Sequence, residues 1–343
     1  MKDKLIKQFI NSWSDEYAED FHQIAKKIWE ISELSMQEYG SAKILMDKLK
    51  ENGFTIEAEV ADMPTAFIAT YGQSSPVIGI NAEYDALPGL SQKTDSLKKE
   101  ALIESGPGHG CGHNLLGTAS VKAAIAIKNA MDKFKLHGTV KVIGAPAEEL
   151  CLGKPLLGKA GLLENFDAFL DWHPWTYNRA NYDSCCAYFS VKYHYTGRTC
   201  HGNSPWHGRS ALDAAILQSH GVEMLREHTY PGCPPDAANT INYTFTSIDP
   251  EFPSVVPDKA TAWYIGRFIT IEDAENGLKR ITNCAKGAAL STETEVKVEL
   301  ITATHHKIPN KTLAQLVHNN FQEIGAPKFT EEEHEIAKKI QKE

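Results

Sequence analysis

The sequence predicts an α/β protein, in which an open mixed sheet with helices on both faces is joined to an inserted ferredoxin-like βαββαβ domain. Strand-like segments alternate with helical ones up to about residue 182, which is typical of a sheet covered on both faces. The order then changes to strand, helix, two strands, helix and strand. Single cores stop growing at roughly 250 residues, and the chain has 343 residues. We therefore expect two domains.

The first part of the chain opens with helices and continues with strands. Apolar residues recur at helical spacing in residues 3–31 and again in 42–49, before Asn52 and Gly53 end the pattern, so two opening helices are predicted. The later elements, in chain order, are strands at 66–71 and 76–82, a helix at 115–134, and strands at 139–146 and 168–172.

The second part of the chain supplies the βαββαβ pattern. Its predicted elements are strands at 187–195, 240–247, 260–268 and 295–302, and helices at 210–228 and 271–290. Amphipathic helices return at 310–325 and 331–342, so the pattern at 183–304 reads as an insertion. The predicted domains are 1–182 for the first part of the catalytic domain, 183–304 for the insertion, and 305–343 for the return to the catalytic domain.

Composition excludes several classes of partner. A net charge of -9 offers no basic face for phosphate groups, so nucleic acid and membrane are not expected partners, and a small soluble substrate is. No apolar run approaches the roughly 20 residues that cross a bilayer, and the amphipathic N-terminus does not resemble a secretory signal. Seven scattered cysteines are typical of reduced thiols, so a cytoplasmic location is predicted.

Four polar clusters follow strand-like segments, at residues 83–85, 111–113, 148–149 and 171–173. In an open α/β sheet the carboxyl ends of the strands line the binding crevice, so clusters far apart in sequence can converge there. This convergence is the main functional signal.

Each cluster on its own has an ordinary structural explanation. Cys111 and His113 are two residues apart, which places both on one side of an extended backbone, but a buried thiol beside a hydrogen-bonded histidine is equally consistent. Adjacent Glu148 and Glu149 could be surface acids, although burial would require a compensating positive charge. His173 alone could be an ordinary strand-edge residue.

Together, these side chains supply N, S and O ligands suited to zinc or a similar transition ion. Asp85 is better placed to orient a ligand than to be one, and a simple turn acid is the alternative. A cysteine hydrolase with Cys111 as nucleophile would leave the paired glutamates without a role. Gly108, Gly110 and Gly112 have the wrong spacing for a dinucleotide fingerprint.

The motifs resemble those of the aminoacylase and carboxypeptidase group of di-metal amidohydrolases, within it the aminobenzoyl-glutamate hydrolase and dipeptidase-like branch. The resemblance covers essentially the whole chain. The matching segments are EYDALPGL at 83–90, GHGCGHNLLG at 108–117, PAEE at 146–149, WHP at 172–174 and GRSALDA at 208–214.

By this resemblance, the chain would hold two divalent metal ions, zinc or manganese, with cobalt also suitable. Cys111 would bridge the ions, His113 and His173 would each bind one, and Glu149 would complete the ligand set. A bound metal ion lowers the pKa of its water molecule toward about 7. Glu148 would take its proton as it attacks the amide carbonyl. A zinc-exopeptidase-like fold is also implied.

The resemblance further implies a homodimer formed through residues 183–304. His201 would stabilise the developing oxyanion in the neighbouring subunit's site, or is simply a loop histidine. Arg267 would bind a substrate carboxylate, or is a surface residue at a strand end. Relatives commonly carry Asn at the position of Ser254, and they continue past residue 343 to supply a last metal-binding histidine, so we expect a truncated form of a longer enzyme.

Two functions follow as expectations. The first is a metal-dependent amidohydrolase that cleaves the amide bond of N-acyl amino acids, dipeptides or aminobenzoyl-glutamate-like substrates. The second is a catalytically inactive homodimer that binds metal or peptide. The first predicts turnover that Glu148→Gln abolishes while the metal stays bound, and the second predicts binding without cleavage.

Overall fold

The computed structural model describes residues 2–93, 96–229, 232–233 and 237–342. The chain divides into two compact units, Met1–Asn178 with Glu323–Glu343, and Arg179–Gln322. The domain limits at 182/183 and 304/305 stay predictions. The two units are described separately.

The first unit combines helices with a five-stranded sheet. Its elements are α1 (Lys2–Glu16), α2 (Ala18–Ile31), α3 (Tyr39–Glu51), β1 (Thr55–Ala58), β2 (Phe67–Gly72), β3 (Val77–Ala82), α4 (His113–Phe134), β4 (Thr139–Gly144), α5 (Gly153–Lys159) and β5 (Ala168–Leu170). The predicted strands and the long helix α4 are present. The sequence pattern predicted neither β1 nor α5.

The prediction of two opening helices was wrong, because residues 3–31 form two helices rather than one. Tyr17 interrupts them with a φ of -101° and a ψ of 17°, and its ring stacks on Trp13 with centroids 4.7 Å apart. The Tyr17 amide still donates to the Trp13 carbonyl at 3.1 Å. The apolar residues therefore keep nearly the same helical spacing on both sides of Tyr17. Periodicity alone consequently did not reveal the end of one helix and the start of the next.

The sheet of the first unit is mixed, as predicted, with strand order β1-β2-β4-β3-β5. The pairings β1/β2 and β2/β4 are antiparallel, whereas β3 runs parallel to both β4 and β5. The three parallel strands therefore direct their carboxyl ends to the same edge.

Apolar side chains cover both faces of this sheet, because alternate residues of a strand point to opposite sides. Phe67 and Val142 belong to the core formed with α2, α3 and α4. Their neighbours Ile68 and Ile143 belong to a second core that includes Leu157 of α5. The prediction of helices on both faces is confirmed.

The second unit has the split βαββαβ order. Its elements are β6 (Ala187–Thr196), α6 (Ala211–Arg226), the short pair β7 (Gly232–Cys233) and β8 (Ala237–Ala238), β9 (Thr240–Asp249), β10 (Lys259–Phe268), α7 (Ile271–Thr292) and β11 (Glu295–Thr304). The four long strands are antiparallel in the order β11-β6-β10-β9. Residues of α6 and α7 pack on this sheet, so the predicted ferredoxin-like topology is confirmed.

Two further helices, α8 (Lys311–Ile324) and α9 (Glu331–Ile340), follow β11. The side chains of Thr330 and Glu333 each bond the other's backbone amide at the start of α9, which is a capping box. Within the described ranges, no helix combines the length and the apolar character needed to cross a membrane.

Candidate metal centre

The candidate site lies at the edge where β3, β4 and β5 end. Glu83 and Asp85 follow β3, Glu148 and Glu149 follow β4, and His173 follows β5. Helix α4 runs close to this edge, since a Cβ at Gly117 would lie only 2.5 Å from the Glu83 carbonyl oxygen. Three of the four predicted clusters thus converge because their strands are parallel neighbours.

The fourth cluster reaches the site differently from the prediction. Cys111 and His113 were expected after a strand, on an extended backbone, which was wrong: they follow a loop, and His113 is the first residue of α4. Gly112 caps the helix with a φ of 81°, a left-handed conformation that favours glycine. A Cβ at Gly112 would also lie 2.8 Å from Pro174 Cγ. The glycine therefore permits the His173 segment to approach Cys111.

Two groups of possible ligand atoms meet at His113. The first consists of Cys111, His113 and His173, and the second of Glu83, His113 and Glu148, with all atoms of a group within 4.8 Å of one another. Cys111 Sγ lies 3.2 Å from His173 Nε2. Two ligands of a tetrahedral ion, bound at roughly 2.0–2.3 Å, lie about 3.3–3.6 Å apart. The observed separation lies just below that range, and it is also a hydrogen-bond distance for a thiol and an imidazole.

Asp85 fixes the orientation of His113. The Nδ1 atom of His113 lies 3.0 Å from Asp85 Oδ1, so the ring donates its proton there. The other oxygen, Oδ2, accepts from the Glu149 amide at 3.0 Å and from the Ser35 hydroxyl at 2.8 Å. A carboxylate that holds one ring nitrogen leaves the lone pair of the other available, which is the usual arrangement behind a metal-bound histidine.

The Nε2 atom of His113 is buried, and the described residues provide it with no hydrogen bond. Carboxylate oxygens face it instead, Glu83 Oε2 at 3.4 Å and Glu148 Oε2 at 3.7 Å. A nitrogen lone pair directed at two carboxylates is unfavourable unless a positive charge lies between them. The donor set of this centre therefore fits a divalent cation.

The electrostatics of the centre follow from its burial and its negative charge. Burial, followed by the charges of Glu149 and Glu148, raises the pKa of the Cys111 thiol to about 12. Burial and the charge of Glu83 raise the pKa of Glu148. Burial opposes protonation of His113, but Asp85, Glu83 and Glu148 outweigh it and raise the pKa of that imidazole to about 9. A cation here would reverse the penalty on the thiolate.

Glu149 lies beside the two groups of ligand atoms and belongs to neither. Its Oε1 atom is buried without a hydrogen-bond partner in the described part of the chain, and lies 3.9 Å from His113 Nδ1. Its carboxyl also contacts the Cys111 thiol. The predicted role of Glu149 as a ligand therefore stays a prediction.

Sequence reasoning assigned no role to Glu83, Lys154 or Asn81. Glu83 is 2% exposed, and its Oε1 atom accepts from Lys154 Nζ at 2.5 Å and from Asn81 Nδ2 at 2.7 Å. The spacing of two between Glu83 and Asp85 was an available signal, since alternate residues share a side. The sequence around Lys154 gave no such signal, because helix α5 had not been predicted.

The two remaining predicted site residues lie in the second unit. His201 is exposed and accepts from the Asn203 amide at 3.2 Å. Arg267 lies in β10, with its guanidinium 5.4 Å from the ring centroid of Tyr188. Their roles in oxyanion and carboxylate binding stay predictions.

Carboxylates at the ends of parallel strands, together with a buried imidazole and a nearby thiol, define a class of protein, the α/β metallohydrolases. The chain belongs to peptidase family M20/M25/M40, whose family model matches residues 79–337. It is therefore a hydrolase of the peptidase and amidohydrolase type. The resemblance identified from the motifs is confirmed.

Curated relatives cover nearly the whole chain. It is 35% identical to a subunit of the p-aminobenzoyl-glutamate hydrolase of Escherichia coli (strain K12), over 98% of this chain and 69% of the relative. It is also 29% identical to the Xaa-Arg dipeptidase of Mus musculus, over 96% of this chain and 74% of the relative.

Solved structures support the same fold. The aminobenzoyl-glutamate utilization protein from Klebsiella pneumoniae matches with a TM-score of 0.69 and 17% identity, covering 97% of this chain and 90% of that one. A Bacillus subtilis protein, described as a dinuclear metal binding peptidase from the M20 family, matches with a TM-score of 0.59 and 19% identity, covering 92% of this chain and 82% of that one.

Proposed function

We propose that this chain hydrolyses the amide bond of a small N-acyl amino acid, dipeptide or aminobenzoyl-glutamate-like substrate at a centre of two divalent ions. Zinc and manganese are the proposed ions, with cobalt as a further candidate. The observation that carries the proposal is His113, whose buried Nε2 atom faces carboxylates and, in the described residues, forms no hydrogen bond.

The side chains that would hold the ions are those that the geometry brings together. Cys111, His113 and His173 offer soft and borderline donors, which suit zinc and related ions. Glu149 is proposed as a further ligand from its place beside Cys111. When bound, such ions lower the pKa of a coordinated water and polarise the amide carbonyl.

Glu148 is the proposed general base. Its raised pKa makes it a better proton acceptor than an exposed glutamate, and its carboxyl lies in the cluster rather than in solvent. It would take a proton from the attacking water and deliver it to the leaving nitrogen. Asp85 would keep the imidazole of His113 oriented through both stages, because its two oxygens hold His113 and the Glu149 amide.

The second unit would contribute to substrate binding. We propose that residues 183–304 mediate homodimer formation, and that His201 of one subunit stabilises the oxyanion developing in the site of the other. Arg267 is proposed to bind a substrate carboxylate. The exposure of both side chains supports these roles, since each is accessible on the second unit. The cytoplasmic location remains a prediction.

The substrate class follows from the named activities of the relatives. The names p-aminobenzoyl-glutamate hydrolase and Xaa-Arg dipeptidase both describe cleavage of an amide bond next to an amino acid. A substrate panel should therefore contain p-aminobenzoyl-glutamate, N-acetyl and N-benzoyl amino acids, and dipeptides with a C-terminal arginine.

The test combines metal content with turnover. The purified chain is exposed to zinc or manganese and desalted, its metal content is measured by elemental analysis, and the panel is assayed for free amine. We expect about two ions per chain, as the ligand set requires. We expect Glu148→Gln to lower kcat by roughly 10²–10⁴-fold at an unchanged ion count, because it removes the base and retains the side-chain shape.

Glu164→Gln is the matched control, because it removes an exposed carboxylate of the same unit away from the cluster. It should retain both ions and full turnover. Ion binding without cleavage of any substrate in the panel would instead favour the inactive binding protein. Turnover that chelators leave unchanged would overturn the proposed mechanism.

A further inference from the structure

We propose that Glu83 is a metal ligand in this chain, and that Lys154 and Asn81 hold its carboxylate in the coordinating orientation. The inference rests on the proposed ion centre and extends it by one ligand and two positioning residues. It assigns a function to the more deeply buried of the two carboxylates that face His113 Nε2, which the motif-based ligand set left unused.

The two oxygens of Glu83 have different surroundings. Oε1 accepts from Lys154 Nζ at 2.5 Å and from Asn81 Nδ2 at 2.7 Å. Oε2 points instead toward His113 Nε2, at 3.4 Å. Since Asn81 is fully buried and Glu83 is 2% exposed, neither side chain can turn to solvent. The hydrogen bonds to Oε1 thus leave Oε2 directed at the ion position.

A hydrogen bond between His113 and Glu83 does not account for this geometry. Because Nδ1 of His113 already bonds Asp85, a hydrogen bond from His113 to Glu83 would have to come from Nε2. The separation of 3.4 Å exceeds the 2.7–3.2 Å typical of an N–H···O bond. It matches the roughly 3.3 Å between two ligand atoms of a tetrahedral zinc ion.

An ion pair with Lys154 does not account for the geometry either. A buried pair is favourable only when the remaining oxygen lone pairs are satisfied, and the pairing with Lys154 uses Oε1. Oε2 still faces an imidazole nitrogen that makes no hydrogen bond to any described residue. A divalent ion between Glu83 Oε2 and His113 Nε2 satisfies both atoms. Glu148 keeps its proposed role as the base.

The first test compares two carboxylate substitutions. Glu83→Gln removes the proposed ligand, and Asp171→Asn removes an exposed carboxylate that contacts the same Asn81 amide, at 3.2 Å. Affinity for zinc is measured in full-length protein by competition with a chromophoric chelator, and ion content by elemental analysis. Removal of a hydrogen-bonding partner of a ligand costs about 10–100-fold in affinity.

We expect Glu83→Gln to lower the zinc affinity by more than this range of about 10–100-fold, or to lose about one ion per chain. The zinc affinity of Asp171→Asn should stay within about threefold of the wild-type value. Equal effects of the two substitutions would show that only the local charge matters, and would overturn the assignment. In cobalt-loaded protein, Glu83→Gln should change the d–d bands, which report the coordination sphere, while the thiolate-to-cobalt band of Cys111 remains.

The variant Lys154→Met distinguishes two roles of Lys154, holding the Glu83 carboxylate in place and supplying a positive charge. If Lys154 acted only by its charge, its removal would raise cation affinity, because a positive neighbour repels the ion. If it holds Glu83 in place, its removal should lower affinity by about tenfold, as for other outer partners of ligands. A rise in affinity would overturn the positioning role.

Folding of the variants is checked by circular dichroism. Should Glu83→Gln fail to fold because Lys154 is left without its carboxylate, the double variant Glu83→Gln/Lys154→Met removes both charges and should show the same ion loss. If Glu83→Gln binds zinc as tightly as the wild-type protein and turns over substrate normally, Glu83 is not a ligand, and the proposed function is unaffected. If the wild-type protein binds no ions, both the proposed function and the role of Glu83 are refuted.

Discussion

The cores of the two units contain different kinds of buried polar group. In the second unit, the hydroxyls of Tyr193, Tyr195 and Tyr264 are paired with Thr282 at 2.8 Å, Gln218 at 2.9 Å and Ser219 at 3.0 Å. In the first unit, His113 Nε2 and Glu149 Oε1 are buried among ionisable groups with no hydrogen bond from the described residues.

These two kinds of buried polar group have different consequences for the stability and the function of the units that contain them. Neutral donors and acceptors that satisfy one another contribute about 1 kcal/mol each to folding. Ionisable groups that face one another without a partner cost free energy until a cation or proton compensates them. The second unit is therefore expected to be stable without a ligand, and the first unit to gain stability from one.

The largest expected effect is stabilisation of the first unit by metal. At a free ion concentration of a thousand times Kd, binding adds about 4 kcal/mol to the free energy of unfolding. Hydrogen exchange should show slower opening of β3 and β4 with zinc, and unchanged exchange in β6 and β10. If zinc slowed hydrogen exchange equally in both units, the expected difference between them would be refuted.

A second prediction concerns His109 of the first unit, whose pKa burial lowers from 6.5 to about 4. Because the unfolded state binds the proton more readily, the contribution of His109 to stability is complete above pH 6.5 and is lost as the pH falls toward 4. Between pH 6.5 and 5 the loss is about 1.5 kcal/mol.

The measurement is urea unfolding of ion-free protein at pH 6.5 and 5, with His109→Gln as the control that cannot titrate. His113, whose pKa is raised to about 9, titrates alike in wild type and His109→Gln, so its contribution cancels in the comparison of the two proteins. An identical pH dependence in wild type and His109→Gln would contradict the prediction.

The smallest expected effects have opposite signs in the two units. In ion-free protein at pH 7, Glu148→Gln should raise the free energy of unfolding by on the order of 1 kcal/mol, because burial and Glu83 disfavour the folded-state carboxylate. Tyr264→Phe should lower it by about 1 kcal/mol, because the bond to Ser219 is lost. Thermal unfolding followed by near-UV circular dichroism measures both, and equal signs would refute the distinction.

Much of the fold was predictable because it depends on local periodicity. Short strand-like segments identified β2, β3 and β4, and the order of elements after residue 182 identified the βαββαβ unit. The elements that were missed are short or depend on tertiary contacts. Helix α5 has seven residues, too few for a helical period to stand out, and β1 exposes most of its side chains.

The sequence by itself determined which chemical groups are present, since Cys111, His113, Glu148, Glu149 and His173 follow from motif and spacing alone. It also placed Glu148, Glu149 and His173 after strands, as the structure does. The tertiary structure decided which atoms face one another. It placed Asp85 behind His113, brought Lys154 onto Glu83, and left the Nε2 atom of His113 facing carboxylates. The physical reason is that these distances depend on how α4, α5 and the sheet pack, and periodicity along one element carries no information about separations between elements.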